Sequence, residues 1–305
     1  MTKSKLGSIL FASRVDLVML LVAMVWGASY LAAKNLTPHS SIPALLALRF
    51  LLATIVLVFI WGRKHEKITR AEWFAGSIFG LSVASVLIIE TLGISITSAT
   101  NAGLIISLAI IFTPIIESLW QRSWLPRPFF VATVGAVVGV ALLVSGNGFR
   151  SPNIGDAIML LASILRALAT TTQGRLTHGK TLSSLNLTVV QTAVCGFAMF
   201  AVDAPGTVRA AIEYGPTQWA WMSFLVVFCT VFGFIAMMWG IQRTSASRAS
   251  LLVSTEPIWA VLVAIAFGGE QLAWISAAGA VLIIVSTYFG QGIETKHRAG
   301  KLANL

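Results

Sequence analysis

Four charged side chains lie within long apolar stretches of the sequence: Arg49, Glu90, Arg166 and Glu256. A charge at the centre of a bilayer costs about 2.5 to 3.5 kcal/mol, so each one needs a partner, a water-filled cavity or a function. A planar guanidinium is suited to bind a carboxylate, and a carboxylate in such a place can carry a proton or pair with a cation. Arg166, Glu90 and Glu256 are the first candidates for a ligand site.

Arg166 is the most central of the four. It lies about eleven residues into its stretch, which is roughly 16 Å of helix rise. We expect its guanidinium either to bind the carboxylate of a zwitterionic ligand or to form a structural ion pair with Glu90 or Glu256. Arg49 lies closer to the end of its stretch, and we interpret it as structural. Glu90 could pair with either arginine.

Two prolines interrupt apolar stretches that resemble one another, Pro114 and Pro257. Proline removes the hydrogen bond to the carbonyl four residues earlier and bends a helix, so we predict hinges at both positions. Glu256, directly before Pro257, is a candidate proton carrier, with helix packing as the alternative. Glu117 is close in sequence to Arg122 near the end of its stretch, and we interpret the two as a surface pair.

Two further sets of residues are candidates for lining a site. Small polar side chains at helix starts can hydrogen-bond a ligand or let helices approach closely; they are Asn101, Ser107, Ser250 and Ser254. Deeply placed aromatic side chains can form apolar walls for a ligand or simply pack the core; they are Trp26, Tyr30, Trp239 and Trp259.

The elements that position these residues follow from the composition. Apolar residues make up 57% of the 305 residues and charged residues 10%, against about 45 to 50% and about 25% in soluble domains. The apolar stretches are long enough to cross a bilayer as helices and too continuous for barrel strands. We predict an all-α membrane protein with ten transmembrane helices, at residues 15–34, 43–61, 72–96, 99–120, 129–145, 155–174, 184–202, 218–241, 249–267 and 272–289.

The basic residues predict the orientation of these helices. With a cytoplasmic N-terminus, sixteen of the 21 lysine and arginine residues fall on the cytoplasmic side, three fall outside and two lie within helices. This asymmetry follows the positive-inside rule. We therefore expect cytoplasmic tails at residues 1–14 and 291–305, and the first 14 residues lack the features of a removed signal peptide.

The two halves of the chain repeat one another. Residues 97–107, "TSATNAGLIIS", match residues 244–254, "TSASRASLLVS", at an offset of 147, and "WGASYLAAKNL" from Trp26 aligns with "RALATTTQGRL" from Arg166. We divide the chain into five-helix repeats at residues 15–146 and 155–290. Because five is odd, the second repeat must cross the membrane in the opposite orientation. Such inverted repeats around a midplane cavity are typical of transporters.

Several motifs also resemble the EamA branch of the drug/metabolite transporter superfamily: "WGASYLAAKN", "ALRFLLA", "TSATNAG" followed by "FTP", and "EPIWAVLVAIAFGGEQL". The resemblance covers nearly the whole chain, and within the family the chain is similar to bacterial amino-acid exporters, including exporters of aromatic amino acids. It implies ten helices in a 5+5 inverted arrangement around a central cavity. The chain departs from the family pattern at "WQRSWLPR" after the fourth helix and at Arg166, where the family commonly has tryptophan.

Other function classes are disfavoured by what the sequence lacks. The four histidines lie in loops or tails, the two cysteines share no motif, and no "GxxxxGK[ST]" loop is present. We therefore expect no enzyme activity, catalytic residues, metal or cofactor. The sequence predicts a secondary transporter of the bacterial inner membrane that exports amino acids or related amphipathic metabolites by alternating access.

Two alternatives remain open. The first is a multidrug exporter of lipophilic cations, with Glu90 or Glu256 as the binding charge. The second is a membrane scaffold or lipid-handling protein that transports nothing. The expected partners are a small-molecule substrate and the lipid bilayer, without nucleic acid. A monomer is plausible, and the sequence leaves the oligomeric state undecided.

Overall fold

The computed structural model describes residues 3–64, 67–97, 105–144, 153–256, 258–259, 262–263, 266 and 274–303, and these residues form helices and turns without a β-strand. The α-helices are α1 (Lys3–Leu36), α2 (Ile42–Lys64), α3 (Arg70–Ile96), α4 (Ala109–Gln121), α5 (Arg127–Val144), α6 (Ile154–Thr177), α7 (Ser184–Val202), α8 (Ala204–Glu213), α9 (Pro216–Phe224), α10 (Gly233–Arg243), α11 (Ala246–Val253) and α12 (Trp274–Ala303). A 3₁₀ turn, Thr37–His39, follows α1, and a π-helix, Leu225–Phe232, joins α9 to α10.

Six segments of the described chain are long and apolar enough to cross a membrane. They are Ile42–Arg63, Arg70–Glu90, Ile154–Thr177, Ser184–Val202, Pro216–Arg243 and Trp274–Glu294. Two shorter apolar helices, Ile105–Gln121 and Arg127–Leu143, lie between them in the chain. The protein is therefore a multi-pass membrane protein. Each of these six segments and two shorter helices overlaps one of the predicted transmembrane helices.

The packing of the helices has the pattern of two related halves. Corresponding helices pack on one another, α2 on α7, α4 on α11 and α5 on α12. Another contact is repeated in both halves: α3 packs on α6, as α1 packs on the segment from α9 to α10. The α2–α7 pair is antiparallel, because Thr54 bonds Thr192 while a Cβ on Gly196 would meet Leu51. The two repeats thus run in opposite directions.

Small residues bring these helices into close contact. A Cβ on Gly279 of α12 would lie 2.5 Å from the carbonyl oxygen of Gly139 and 2.5 Å from the amide nitrogen of Leu143, both on α5. Between α3 and α7, a Cβ on Gly80 would lie 2.7 Å from the carbonyl oxygen of Gln191. Small residues are favoured at helix interfaces in membranes because they let the backbones approach.

Capping residues begin two of the long helices. Thr69 and Glu72 form a capping box at the start of α3, as Asn153 and Asp156 do at the start of α6. The Glu72 carboxylate also accepts hydrogen bonds from the Ser183 backbone N–H at 2.7 Å and from the Asn186 side chain at 3.0 Å. The cap of α3 therefore also holds the beginning of α7.

Candidate functional site

A cavity of about 480 Å³ lies between the two halves. It is lined by α1, α2, α3, α4, α5, α6, α7, α10 and α11, together with residues next to the ends of α4 and α11. Its wall is mainly apolar, with side chains such as Phe50, Val86, Phe234 and Met238. The sequence-predicted residues that line it are Trp26, Glu90, Ser107, Arg166, Ser250, Ser254 and Glu256. A mostly apolar cavity with a few convergent polar groups is the usual form of a small-molecule site.

Arg166 and Glu90 form an ion pair in the wall of this cavity. The Nη2 atom of Arg166 donates to Oε2 of Glu90 at 2.8 Å. The Arg166 side chain is 37% exposed and the Glu90 side chain 15% exposed, so the pair is accessible from the cavity. The structure thus contains one of the ion pairs expected for Arg166, and it leaves the pair in reach of a ligand.

Arg49 also lines the cavity, although its sequence position favoured a purely structural role. Its Nε–H donates to the Thr230 hydroxyl at 2.6 Å, and its guanidinium lies 5.6 Å from the centre of the Phe50 ring. Across the described chain, no carboxylate oxygen lies within 4 Å of a nitrogen of Arg49. Arg49 therefore differs from Arg166 in having no acidic partner in the described structure.

Trp26 of α1 forms one apolar wall and is held by the opposite half of the chain. Its indole N–H donates to the carbonyl oxygen of Cys229 at 2.8 Å, and its ring lies 5.7 Å from that of Phe234. Cys229 belongs to the π-helix, as does Thr230, the partner of Arg49. π-Helical turns are frequent at functional sites, and here one is held by two cavity residues.

The helices that line the cavity are broken at equivalent places in the two repeats. Leu108 donates its N–H to Ile105 and accepts from Ile111, and both bonds span three residues instead of four. At an offset of 147, Thr255 donates to Leu252 and accepts from Ile258 in the same way. These tight turns adjoin cavity residues in both halves. Paired helix interruptions of this kind mark binding sites and hinges in transporters.

The prolines do not share this register. Pro114 lies six residues after Leu108, whereas Pro257 lies two residues after Thr255 and outside the described residues. The two prolines therefore differ by four residues in the register of the repeats, and their role as hinges stays a prediction. Pro114 is buried inside α4, and Ile110, whose carbonyl it leaves without a helical donor, lines the cavity.

Other predicted residues lie elsewhere. Trp239 and Trp259 do not line the cavity, and the Trp239 ring packs under the guanidinium of Arg243 at 4.6 Å. Asn101 and the side chain of Tyr30 lie outside the described residues. The roles of all these residues stay predictions.

Several polar residues of the cavity were not predicted from the sequence: Ser29, Thr113, Thr170, Gln173 and Gln191. Thr170 and Gln173 follow Arg166 by four and seven residues, so they share its face of α6. That spacing could have identified them. No comparable spacing identifies Gln191. Its position in the cavity wall depends on how α7 packs on α2 and α3.

The face of the bundle where α1 begins and α12 ends, here called the terminal face, is closed by a polar network. Arg248 at the start of α11 binds Asp16 of α1 at 2.7 Å and Glu294 of α12 at 3.4 Å. Glu117 of α4 accepts from the backbone N–H of Ser247 at 2.7 Å and from the Ser247 hydroxyl. The interpretation of Glu117 as a surface pair was wrong, since it is buried and caps α11.

The fold and the cavity define the class: a polytopic membrane protein made of two inverted helical repeats that enclose a ligand-sized cavity, the architecture of a secondary transporter. Residues 13–145 and 153–289 each match the model of the EamA-like transporter family, and the chain belongs to that family. This membership confirms the resemblance seen in the sequence motifs.

Two similar proteins that are named as transporters match most of this chain. An uncharacterized transporter of Archaeoglobus fulgidus is 27% identical over 276 residues, covering 89% of this chain and 83% of its own. The uncharacterized transporter YyaM of Bacillus subtilis is 24% identical over 279 residues, covering 88% and 90%. A solved crystal structure has the same fold at a TM-score of 0.77 and 14% identity, over 93% of this chain and 98% of its own.

Proposed function

We propose that this protein is a secondary transporter that exports amino acids, or similar small amphipathic metabolites, across the bacterial inner membrane by alternating access. The observation that carries this proposal is the Arg166–Glu90 ion pair in the wall of the mostly apolar cavity. A guanidinium beside a carboxylate is complementary to the carboxylate and ammonium of a zwitterion.

In this proposal the substrate exchanges partners with the ion pair. Its carboxylate binds the planar guanidinium of Arg166, and its ammonium binds the carboxylate of Glu90. The charges stay paired throughout, which limits the cost of holding them within the membrane. The apolar part of the substrate lies against Trp26 and Phe234, whose rings form the adjoining wall.

Alternating access in this proposal uses the two inverted repeats. Ten helices cross the membrane, and both termini are cytoplasmic, as the sixteen-to-three division of basic residues favours. The paired helix breaks at Leu108 and Thr255 serve as hinges on the two sides of the cavity. A reporter that is active only in the periplasm, fused after Leu305, is expected to give no signal, and a strong signal would exclude this topology.

Export of lipophilic cations is the weaker candidate. Such a substrate needs a carboxylate, and the cavity lining includes Glu256 and Glu90, of which Glu90 is bound to Arg166. A cation at Glu90 would have to compete with that guanidinium without offering it a new anionic partner, and a cation at Glu256 would leave the Arg166–Glu90 pair unused. Charge complementarity therefore favours a zwitterion.

The test is counterflow by the purified protein in liposomes, with labelled amino acids, lipophilic cations and phosphate esters, in the presence and absence of a proton gradient. We expect amino-acid flux in the wild-type protein and a loss of at least about tenfold in apparent affinity in Arg166→Gln and Glu90→Gln. Arg63→Gln is the matched control, since Arg63 is exposed and lies over Phe59 away from the cavity.

Each outcome has a defined meaning. Amino-acid flux that depends on the gradient establishes proton coupling, and flux without that dependence establishes facilitated diffusion. Flux of cations alone replaces the proposal with the multidrug function. A folded protein that carries none of these substrates overturns the transport proposal and favours a scaffold.

A further inference from the structure

Several polar side chains of the cavity have no role in the binding of a simple zwitterion by Arg166 and Glu90. Two of them, Arg49 of α2 and Gln191 of α7, occupy corresponding positions in the two repeats. A role for these two residues in the choice among amino acids rests on the proposed function and extends it.

Arg49 has donors left over. Its Nε–H is used by the Thr230 hydroxyl, and its remaining contact is the face of the Phe50 ring. Neither of its terminal nitrogens donates a hydrogen bond to any described residue. A guanidinium carries five N–H donors, and one placed within a membrane without an acidic partner marks a site for a ligand.

Gln191 has an acceptor left over. The side chain is 1% exposed, and its Oε1 atom accepts no hydrogen bond from the described part of the protein. Buried polar atoms are normally satisfied, because leaving one unpaired costs stability. Gln191 lines the same cavity as Arg49, so a ligand in that cavity can supply the missing donor.

The packing of α2 on α7 sets the distance between the two groups. The Thr54 hydroxyl donates a hydrogen bond to the Thr192 hydroxyl at 3.1 Å, where the two helices meet. Because the helices are antiparallel, Gln191, one residue before Thr192, lies at the same height as the residue after Thr54. Arg49 lies about six residues from that level, or roughly 9 Å of helix rise. Both side chains line the same cavity, so a substrate that enters it can contact the two residues at the same time.

We propose that Arg49 and Gln191 form a second polar subsite that binds the end of the substrate's side chain and selects amino acids with an amide or hydroxyl group there. The oxygen of that group accepts from Arg49, and its N–H or O–H donates to Oε1 of Gln191. An aliphatic or unsubstituted aromatic side chain would leave both residues unsatisfied. Sites built to hydrogen-bond a substrate group reject analogues that lack it.

The experiment is competitive counterflow in liposomes with two pairs of amino acids of matched size, glutamine against norleucine and tyrosine against phenylalanine. In the wild-type protein we expect the polar member of each pair to be preferred by about tenfold or more. In Arg49→Leu and Gln191→Leu we expect that ratio to fall toward one while transport of the apolar member is retained.

Two controls separate recognition from folding. Ser82→Ala removes a hydroxyl that bonds the Ile78 carbonyl within its own helix and does not line the cavity, so it should keep the wild-type ratio. Gln191→Leu should not lower the thermal unfolding midpoint, because it removes a buried unpaired acceptor. If Arg49→Leu does not fold, Arg49→Lys, which keeps the charge and loses the guanidinium fork, takes its place.

The outcomes distinguish the subsite from the function on which it rests. A wild-type protein that carries both members of each pair equally well overturns the subsite and leaves the transport function standing. Variants that lose both members to the same extent, or that keep the wild-type ratio, also overturn it. A wild-type protein that carries no amino acid overturns the proposed function and the subsite together.

Discussion

Arg248 binds both carboxylate oxygens of Asp16, with its Nη2 atom at 2.8 Å from Oδ1 and 2.7 Å from Oδ2. This contact joins the start of α11 to α1 at the terminal face. In the other repeat, Asp156 occupies the position that corresponds to Asp16 at an offset of 140. Its carboxylate accepts a hydrogen bond from the hydroxyl of Thr97. The related aspartates of the two repeats therefore have different partners, a guanidinium at Asp16 and a hydroxyl at Asp156.

Arg248→Gln tests how much the ion pairs of Arg248 at the terminal face contribute to the free energy of unfolding. The Arg248 side chain is 8% exposed, and its removal leaves the carboxylates of Asp16 and Glu294 without their shared cation. Loss of one partner of a buried ion pair costs about 3 to 5 kcal/mol in the free energy of unfolding. The measurement is denaturation in detergent, and the double variant Asp16→Asn with Arg248→Gln should cost less than Arg248→Gln alone. Equal stability of Arg248→Gln and wild type would contradict the prediction.

Gly279→Ala tests the close contact of α5 and α12. The added Cβ would lie 2.5 Å from backbone atoms of Gly139 and Leu143, which cannot move aside as a side chain can. We expect a loss of about 1 to 3 kcal/mol in the free energy of unfolding. Gly292 on the same helix has nothing within 4 Å of its Cβ position, so Gly292→Ala should be neutral or stabilising by up to about 1 kcal/mol. Similar results for both variants would exclude close packing at Gly279.

Ser41→Ala tests a pH-dependent contact outside the membrane-spanning segments. The hydroxyl of Ser41 and the backbone N–H of Gly206 donate to the Asp203 carboxylate, and these hydrogen bonds, the Ser41 one first, lower the pKa of Asp203. A carboxyl group whose pKa is lower in the folded than in the unfolded protein stabilises the folded state. This stabilisation is complete above the unfolded pKa of about 3.9, and it is lost as the pH falls through the lower pKa of the folded protein.

We therefore expect Ser41→Ala to lower the unfolding midpoint at pH 7, with the difference from wild type shrinking below about pH 4. The measurement is thermal unfolding in detergent across that pH range. Ser85→Ala is the control, because the Ser85 hydroxyl bonds the Leu81 carbonyl within its own helix and contacts no titratable group. A difference that stays constant with pH would show that Asp203 is not the group responsible.

The sequence was sufficient for the class of the protein and for several of its central residues. The apolar stretches, the repeat and the motifs predicted a helical membrane protein of the EamA family, and the family match confirms that prediction. The position of their charges within apolar stretches identified Arg166, Glu90 and Glu256 as candidates, and all three line the cavity. These inferences succeeded because hydropathy and helix length are local properties that each segment carries by itself.

Tertiary structure alone decided which side chains meet. Arg166 and Glu90 are 76 residues apart and pair because α6 packs on α3. The rotation of α2 and α7 about their axes turns Arg49 and Gln191 toward the cavity, and the sequence pattern of an almost uniformly apolar helix does not specify that rotation. Glu117 lies near a helix end in sequence, yet it is buried because α11 begins against it. Side-chain partners depend on how helices from both repeats are packed, whereas the existence of those helices does not.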